Sequence, residues 1–173
     1  MQGGSGTNTF WYGRGDGTDT VTNFHSGTDK INYYAGGFDS IAASAGDVVI
    51  GAGSGRLTVR GAAAKQLDIL MNGMDFRCWF GRNDQDNSDV VTGAINLYVG
   101  SASRKDTLLL TGSQSTVVNL QSNRDIWYIN IDAVDASQST GSNILVGDTA
   151  GNTLIGGKGT TAMWGGGAAS DVM

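Results

Sequence analysis

The sequence predicts an all-β chain folded as a parallel β-roll, or β-solenoid, with residues 1–173 forming one domain, and three observations carry that expectation. Glycine occurs 28 times and proline not at all, a balance that suits many tight turns. No stretch rich in alanine, leucine, glutamate and lysine is long enough to sustain a helical period. In the C-terminal third, Leu145, Leu154 and Met163 fall nine residues apart. Each stands two residues after a small polar residue, Asn143, Asn152 or Thr161, and glycine follows within a few positions.

A strand of about four residues cannot bury an apolar face alone, so such units survive by stacking at the roughly 4.8 Å spacing of neighbouring strands. In residues 3–34 the pattern continues with longer turns. Phe10, Val21 and Ile31 are the expected inward residues, preceded by Asn8, Asp19 and Asp29. Residues 46–130 are less regular, but short alternating runs at 56–60 (RLTVR), 94–99 (AINLYV), 107–110 (TLLL) and 126–131 (IWYINI) suit strands. Residues 62–71 suit one short helical turn. From 141 to the end the nine-residue units return, with Leu145, Leu154 and Met163 pointing inward and their glycines in turns.

The segments GGSGTNTFW, GDTAGNTLI and GGKGTTAMW resemble degenerate copies of the hemolysin-type, or repeats-in-toxin, nonapeptide G-G-x-G-x-D-x-U-x, where U is a large apolar residue. Residues 15–31 (GDGTDTVTNFHSGTDKI) are similar to the segment that follows such repeats in many secreted bacterial proteins. As a whole, the unit looks like a tandem module of very large bacterial surface proteins. The resemblance implies a parallel β-roll, an extracellular or bacterial cell-surface location, and calcium held by backbone carbonyls and the sixth-position aspartate. Here the sixth positions read Asn143, Asn152, Thr161 and Asn8, and only Asp19 and Asp171, the latter after a one-residue insertion at 168–169, keep the carboxylate. Neutral side chains can form hydrogen-bonded ladders but cannot balance a hard divalent ion.

Written end to start, with Met1 set aside as an initiator, the chain reads GGGAASDVM followed by QGGSGTNTFWYG. Asp171 takes the sixth position, Met173 the eighth and Gln2 the ninth, and Gly3 and Gly4 open the next unit in register. Neither end carries an expected cap, such as an amphipathic helix, a proline or a lysine cluster, to blunt an open rung. The expectation is head-to-tail stacking, as a filament or a tandem array, through Val172, Met173, Gln2, Gly3, Gly4 and Phe10. With two units per turn, sixth positions line up as Asn143, Thr161 and Asn8 on one side and Asn152, Asp171 and Asp19 on the other. Asp171 and Asp19 would then meet from two molecules as the candidate calcium pair.

Other chemistry finds little support in the residue types present. Charged residues are 16% of the chain against the usual roughly 25%. The net charge of −5 leaves no basic stripe for a nucleic-acid backbone. No apolar run reaches the roughly 20 residues of a membrane span, and no basic-then-apolar leader opens the chain, so an export address is expected elsewhere. With one cysteine, Cys78, no internal disulfide can form, and its neighbours Phe76, Trp79 and Phe80 make it a buried small hydrophobe. His25, the single histidine, lies in a polar turn, and one histidine and one cysteine cannot build a metal centre of their own. The carboxylate pairs Asp132 with Asp135 and Asp84 with Asp86 sit beside turn residues, where Asp caps its own backbone. Trp11, Trp79, Trp127 and Trp164 are expected in the core or between rungs rather than on sugars. The expected function is therefore that of a structural extracellular protein, not an enzyme. A calcium-responsive adhesion or glycan-binding module is the alternative.

Overall fold

The computed structural model describes residues 1–34, 37–91, 95–121, 127–167 and 170–173, and at Trp127 the backbone only. The described chain is all-β, with seventeen short strands in four sheets. One sheet has six strands, in the order β1 (Thr9–Tyr12), β3 (Lys30–Tyr33), β7 (Gln66–Met71), β8 (Met74–Phe80), β10 (Leu97–Val99) and β13 (Trp127–Ile129). A second runs β2 (Thr18–Val21), β6 (Gly55–Val59), β5 (Asp47–Ala52) and β4 (Ser40–Ser44). The third is β16 (Thr153–Ile155), β14 (Ala133–Ser139), β11 (Asp106–Gly112) and β9 (Asn87–Val90), and the fourth β12 (Thr116–Asn119), β15 (Asn143–Val146) and β17 (Thr161–Trp164).

Pairing is parallel within the third and fourth sheets and for β1–β3, β3–β7, β8–β10, β10–β13 and β2–β6. Hairpins interrupt it: β4–β5, β5–β6 and β7–β8 are antiparallel. The chain is thus all-β as expected, but its sheets are mixed and not the uniformly parallel ones of a roll. Antiparallel neighbours need only a short turn, and Asn72 and Gly73, both at positive φ, supply one between β7 and β8.

Strand alternation divides the apolar residues between two cores. The six-stranded sheet sends Phe10, Ile31, Ile69 and Phe80 toward the second sheet, where they meet Val21, Ile50 and Leu57. From the opposite face of the same sheet, Trp79, Tyr98 and Tyr128 pack with Leu108, Val118, Leu145 and Leu154. Strands β8 and β10 therefore serve both cores, with Cys78 and Val99 on one side and Trp79 and Tyr98 on the other. Two aligned tyrosines, Tyr98 and Tyr128, stack at 5.5 Å between centroids.

The nine-residue frame is legible in the fourth sheet, where Leu145 lies beside Met163 and Asn143 beside Thr161. Successive turns press together here: a Cβ on Gly159 would lie 2.4 Å from the Gly141 carbonyl, so the close approach demands glycine. Leu145, Leu154, Phe10, Val21 and Ile31 are buried as expected, and Met163 is half-buried.

Two expectations are corrected. Residues 66–71 form β7 and not a helical turn, because Leu67 and Ile69 alternate into the core while β8 pairs alongside. Trp11 and Trp164 are 60% and 53% exposed, since a ninth position follows an inward eighth and alternation turns it outward. Trp79 and Cys78 are buried as expected. The side chain of Trp127, residues 94 and 126 of two expected strands, and the insertion at 168–169 lie outside the described residues.

Candidate assembly interface

The residues expected at the seam occupy the two ends of the strand order. β1 is the edge of its sheet, pairing with β3 alone among the described residues. The Asn8 and Tyr12 carbonyls accept hydrogen bonds from Lys30 N–H and Tyr34 N–H at 2.9 and 3.2 Å, so the backbone groups of Thr9 and Trp11 face the open side. At the other end, β17 pairs with β15 alone. Asn143 and Gly147 donate to the carbonyls of Thr160 and Trp164 at 2.8 and 2.9 Å, which turns the groups of Thr161 and Met163 outward.

The flanking segments continue the second and third sheets by single bridges, Gln2 beside Thr22 and Val172 beside Thr153, both parallel. Val172 donates to the Asn152 carbonyl and accepts from Leu154 N–H, at 2.9 and 2.7 Å, so the groups of Asp171 and Met173 point away from β16. On β2, the groups of Thr20 and Thr22 point away from β6. Met1 meets them there: its terminal ammonium donates to the Thr20 carbonyl at 2.6 Å and its carbonyl accepts from Thr22 N–H at 3.0 Å. Gly3 is buried, and a Cβ there would meet the Asn23 carbonyl at 2.4 Å and the Phe10 ring at 3.3 Å. Phe10 is thereby covered within the chain, while Gln2 and Gly4 are exposed and Val172 and Met173 are 63% and 66% exposed.

Asp19 and Asp171 are both half-buried but lie in different sheets, and the fold does not bring them together within one chain. The Asp171 carboxylate accepts from Asn152 N–H at 2.8 Å and is packed closely against Gly165. Asp19 lies beside Leu57 in register. Among the described residues no three His, Cys, Asp or Glu side chains gather as a metal site. One carboxylate engaged by a backbone N–H, beside an asparagine, does not fit a calcium ion within a single chain.

Asp171 extends a ladder that the spacing in the sequence conceals. Strand register stacks Asn87, Asp106, Asp132, Asn152 and Asp171 one above another at the entrance to successive strands. Asn87 Nδ2 donates to Asp106 Oδ1 at 2.9 Å, and Asp106 N–H to Asp132 Oδ2 at 2.8 Å. Separations between hydrogen-bonded neighbours swing from 19 to 26 residues, which no fixed period finds. Burial, with the charges of Asp132 and Asp86 adding to it, pushes the Asp106 carboxyl up to about 6 against the pull of its hydrogen bonds.

A second buried carboxylate, Asp29, was legible only as the polar residue two places before Ile31, just ahead of its strand. It accepts from Asn8 N–H, Asn8 Nδ2 and His25 N–H at 2.8 to 2.9 Å. Burial raises its carboxyl, but these hydrogen bonds outweigh burial and hold it below the usual range. His25 Nδ1 lies 3.3 Å from Asp29 Oδ2, so the histidine closes this turn. No known family, curated protein or solved structure matches the chain.

Proposed function

We propose that this chain is a structural, non-enzymatic β-solenoid module of a bacterial exterior, which stacks head to tail on further units of its own kind. β17 of one unit pairs with β1 of the next, and the segment around Val172 and Met173 lies against the next unit's β2. One observation carries the reading: the free backbone groups at the two ends have matching parity. The nine-residue frame sets Met163 beside Phe10 and Trp164 beside Trp11. A parallel pair in that register needs the groups of Thr161 and Met163 to face those of Thr9 and Trp11, and these are the groups turned outward. A slip of one residue would turn both sets away and reverse the faces.

The flanking segment supports the same register. In the joined frame Met173 precedes Gln2, as Met1 does in the single chain. Met173 of a neighbour would make the two hydrogen bonds to Thr20 and Thr22 that Met1 makes here. Burial of Val172 and Met173 would stabilise the seam by about 1.5–3 kcal/mol for each side chain fully covered.

The test is Met173→Lys, which places a charge at the contact while the side chain it replaces is already exposed, so folding is retained. Sedimentation velocity and negative-stain microscopy are expected to show elongated assemblies of the parent chain and monomers of the variant. Assembly of both at the same concentration would rule the contact out. A glycan-binding module remains the second reading, favoured by exposed Trp11 with its ring 6.2 Å from that of exposed Tyr34.

A further inference from the structure

The second and six-stranded sheets do not end together. β4 is the last strand of one and β13 the last of the other. Between them opens a cavity of about 960 Å³. Ile41 and Ala43 of β4 form one wall, while Cys78, Leu97 and Val99 on β8 and β10 lie opposite. A cavity near 300–1,000 Å³ with apolar walls is of the size and character that hold small molecules. Hydrophobic side chains placed there and left uncovered would forgo on the order of 25 cal/mol for each Å² of apolar surface.

Charge decides which apolar molecule fits. Among the described lining residues the only charged group is Asp75, already bound to Lys30 Nζ at 3.1 Å. The polar lining comprises Asn83, Asn96, Asn130 and the hydroxyls of Ser101 and Ser103, which lie 3.1 Å apart; Asn83 and Asn96 already bond the backbone of Ala45, Arg77 and Asp75. Among the described residues no lysine or arginine lines the cavity, and a carboxylate would meet Asp75. Cys78 reports a dry wall: burial, with the charge of Asp68 adding to it, pushes its thiol up to about 12.

We propose that this cavity binds an uncharged lipid-sized molecule bearing at most a hydroxyl, which lies along β10 with its polar end at Ser101 and Ser103. The site is independent of the end-to-end contact, because none of its residues lies on β1, β17 or the terminal segments. Occupancy would hold the β4 edge against β10 without a further strand.

The experiment is a titration of the full-length chain with Nile red, a neutral probe, followed by competition. Saturable, blue-shifted emission at one probe per chain is expected, displaced by 1-hexadecanol and not by palmitate at pH 8. Ala43→Phe fills the cavity and is expected to weaken the probe at least tenfold; Val99→Phe is the second variant, should the first fail to fold. Met173→Lys is expected to bind as the parent does, whatever becomes of stacking. The proposal is overturned if the emission does not saturate, if a folded filling variant binds unchanged, or if palmitate competes equally. Loss of binding in Met173→Lys would overturn it too, because the probe would then be reading the chain ends.

Discussion

Asp106 is fully buried, accepts hydrogen bonds from Asn87 Nδ2 and Ser101 N–H, and stands next to Asp132 in the ladder. Its carboxyl titrates at about 6 in the folded chain, against about 3.9 for an unperturbed Asp. The folded state therefore holds the proton more tightly than the unfolded one. The stabilisation is fully present below about pH 4 and is lost as pH rises through about 6, a change on the order of 3 kcal/mol. Asp29 works in the opposite sense, since its carboxyl is lowered and its contribution is lost as pH falls. Urea unfolding between pH 4.5 and 7.5 is expected to show stability falling with pH in the parent and a flatter profile in Asp106→Asn. An unchanged slope in the variant would remove Asp106 as its source. At this scale the sequence was legible at Leu145, Leu154 and Phe10, where the repeat frame decides, and at Cys78, where bulky apolar neighbours do. It misled over core positions for Trp11 and Trp164, since a ninth position beside an inward residue turns outward by alternation. Asp106 was not legible, because its burial comes from Gly81 and Gly100, residues a turn away whose missing Cβ atoms leave room for the carboxyl and its Cβ.

Strands in the last 33 residues followed the nine-residue frame, and those in the first 34 kept its order of a polar residue two places before an inward one, with longer turns between. The middle did not, for two physical reasons. Its strands are joined partly by hairpins, which need no repeat, and β10 has only three residues, too few to show a period. One local signal was present nonetheless: Asn72 and Gly73 stand between alternating apolar runs, the strongest short-range mark of a two-residue hairpin. Both adopt the left-handed region, at φ 51° and 78°. Gly73→Val forces a β-branched side chain into that conformation and is expected to cost about 1–2 kcal/mol in chemical unfolding. Because β8 carries both Cys78 and Trp79 into the two cores, the loss should appear in a single transition. Two separated transitions would show instead that the halves unfold independently.

For the whole molecule, the proposed seam sets a competition that the single chain already displays. Met1 occupies the Thr20 and Thr22 groups that Met173 of a neighbour needs, so stacking must first release two hydrogen bonds, one of them donated by the Met1 terminal ammonium. Each is worth about 0.5–1.5 kcal/mol net, and Met1, tethered beside its site, competes at every protein concentration. Removing it should therefore favour association by roughly 1–3 kcal/mol, on the order of 5- to 150-fold in dissociation constant. The Gly3 N–H bond to the Thr22 carbonyl, at 2.9 Å, does not involve Met1, so β2 does not lose its neighbour altogether in that variant. The same seam would bring Asp171 beside Asp19, and their repulsion at neutral pH works against association. A chain beginning at Gln2, released from a cleavable leader, is expected to assemble at a fivefold or more lower concentration than the parent in light scattering. Adding Asp19→Asn should lower the onset further at low ionic strength and change it less at about 1 M salt, where the repulsion is screened. Met173→Lys in the same shortened chain should remain monomeric, which separates a freed edge at β2 from any general gain in stickiness. If loss of Met1 leaves the onset where it was, the neighbour does not enter at Thr20 and Thr22, and the pairing of β17 with β1 would have to stand without it.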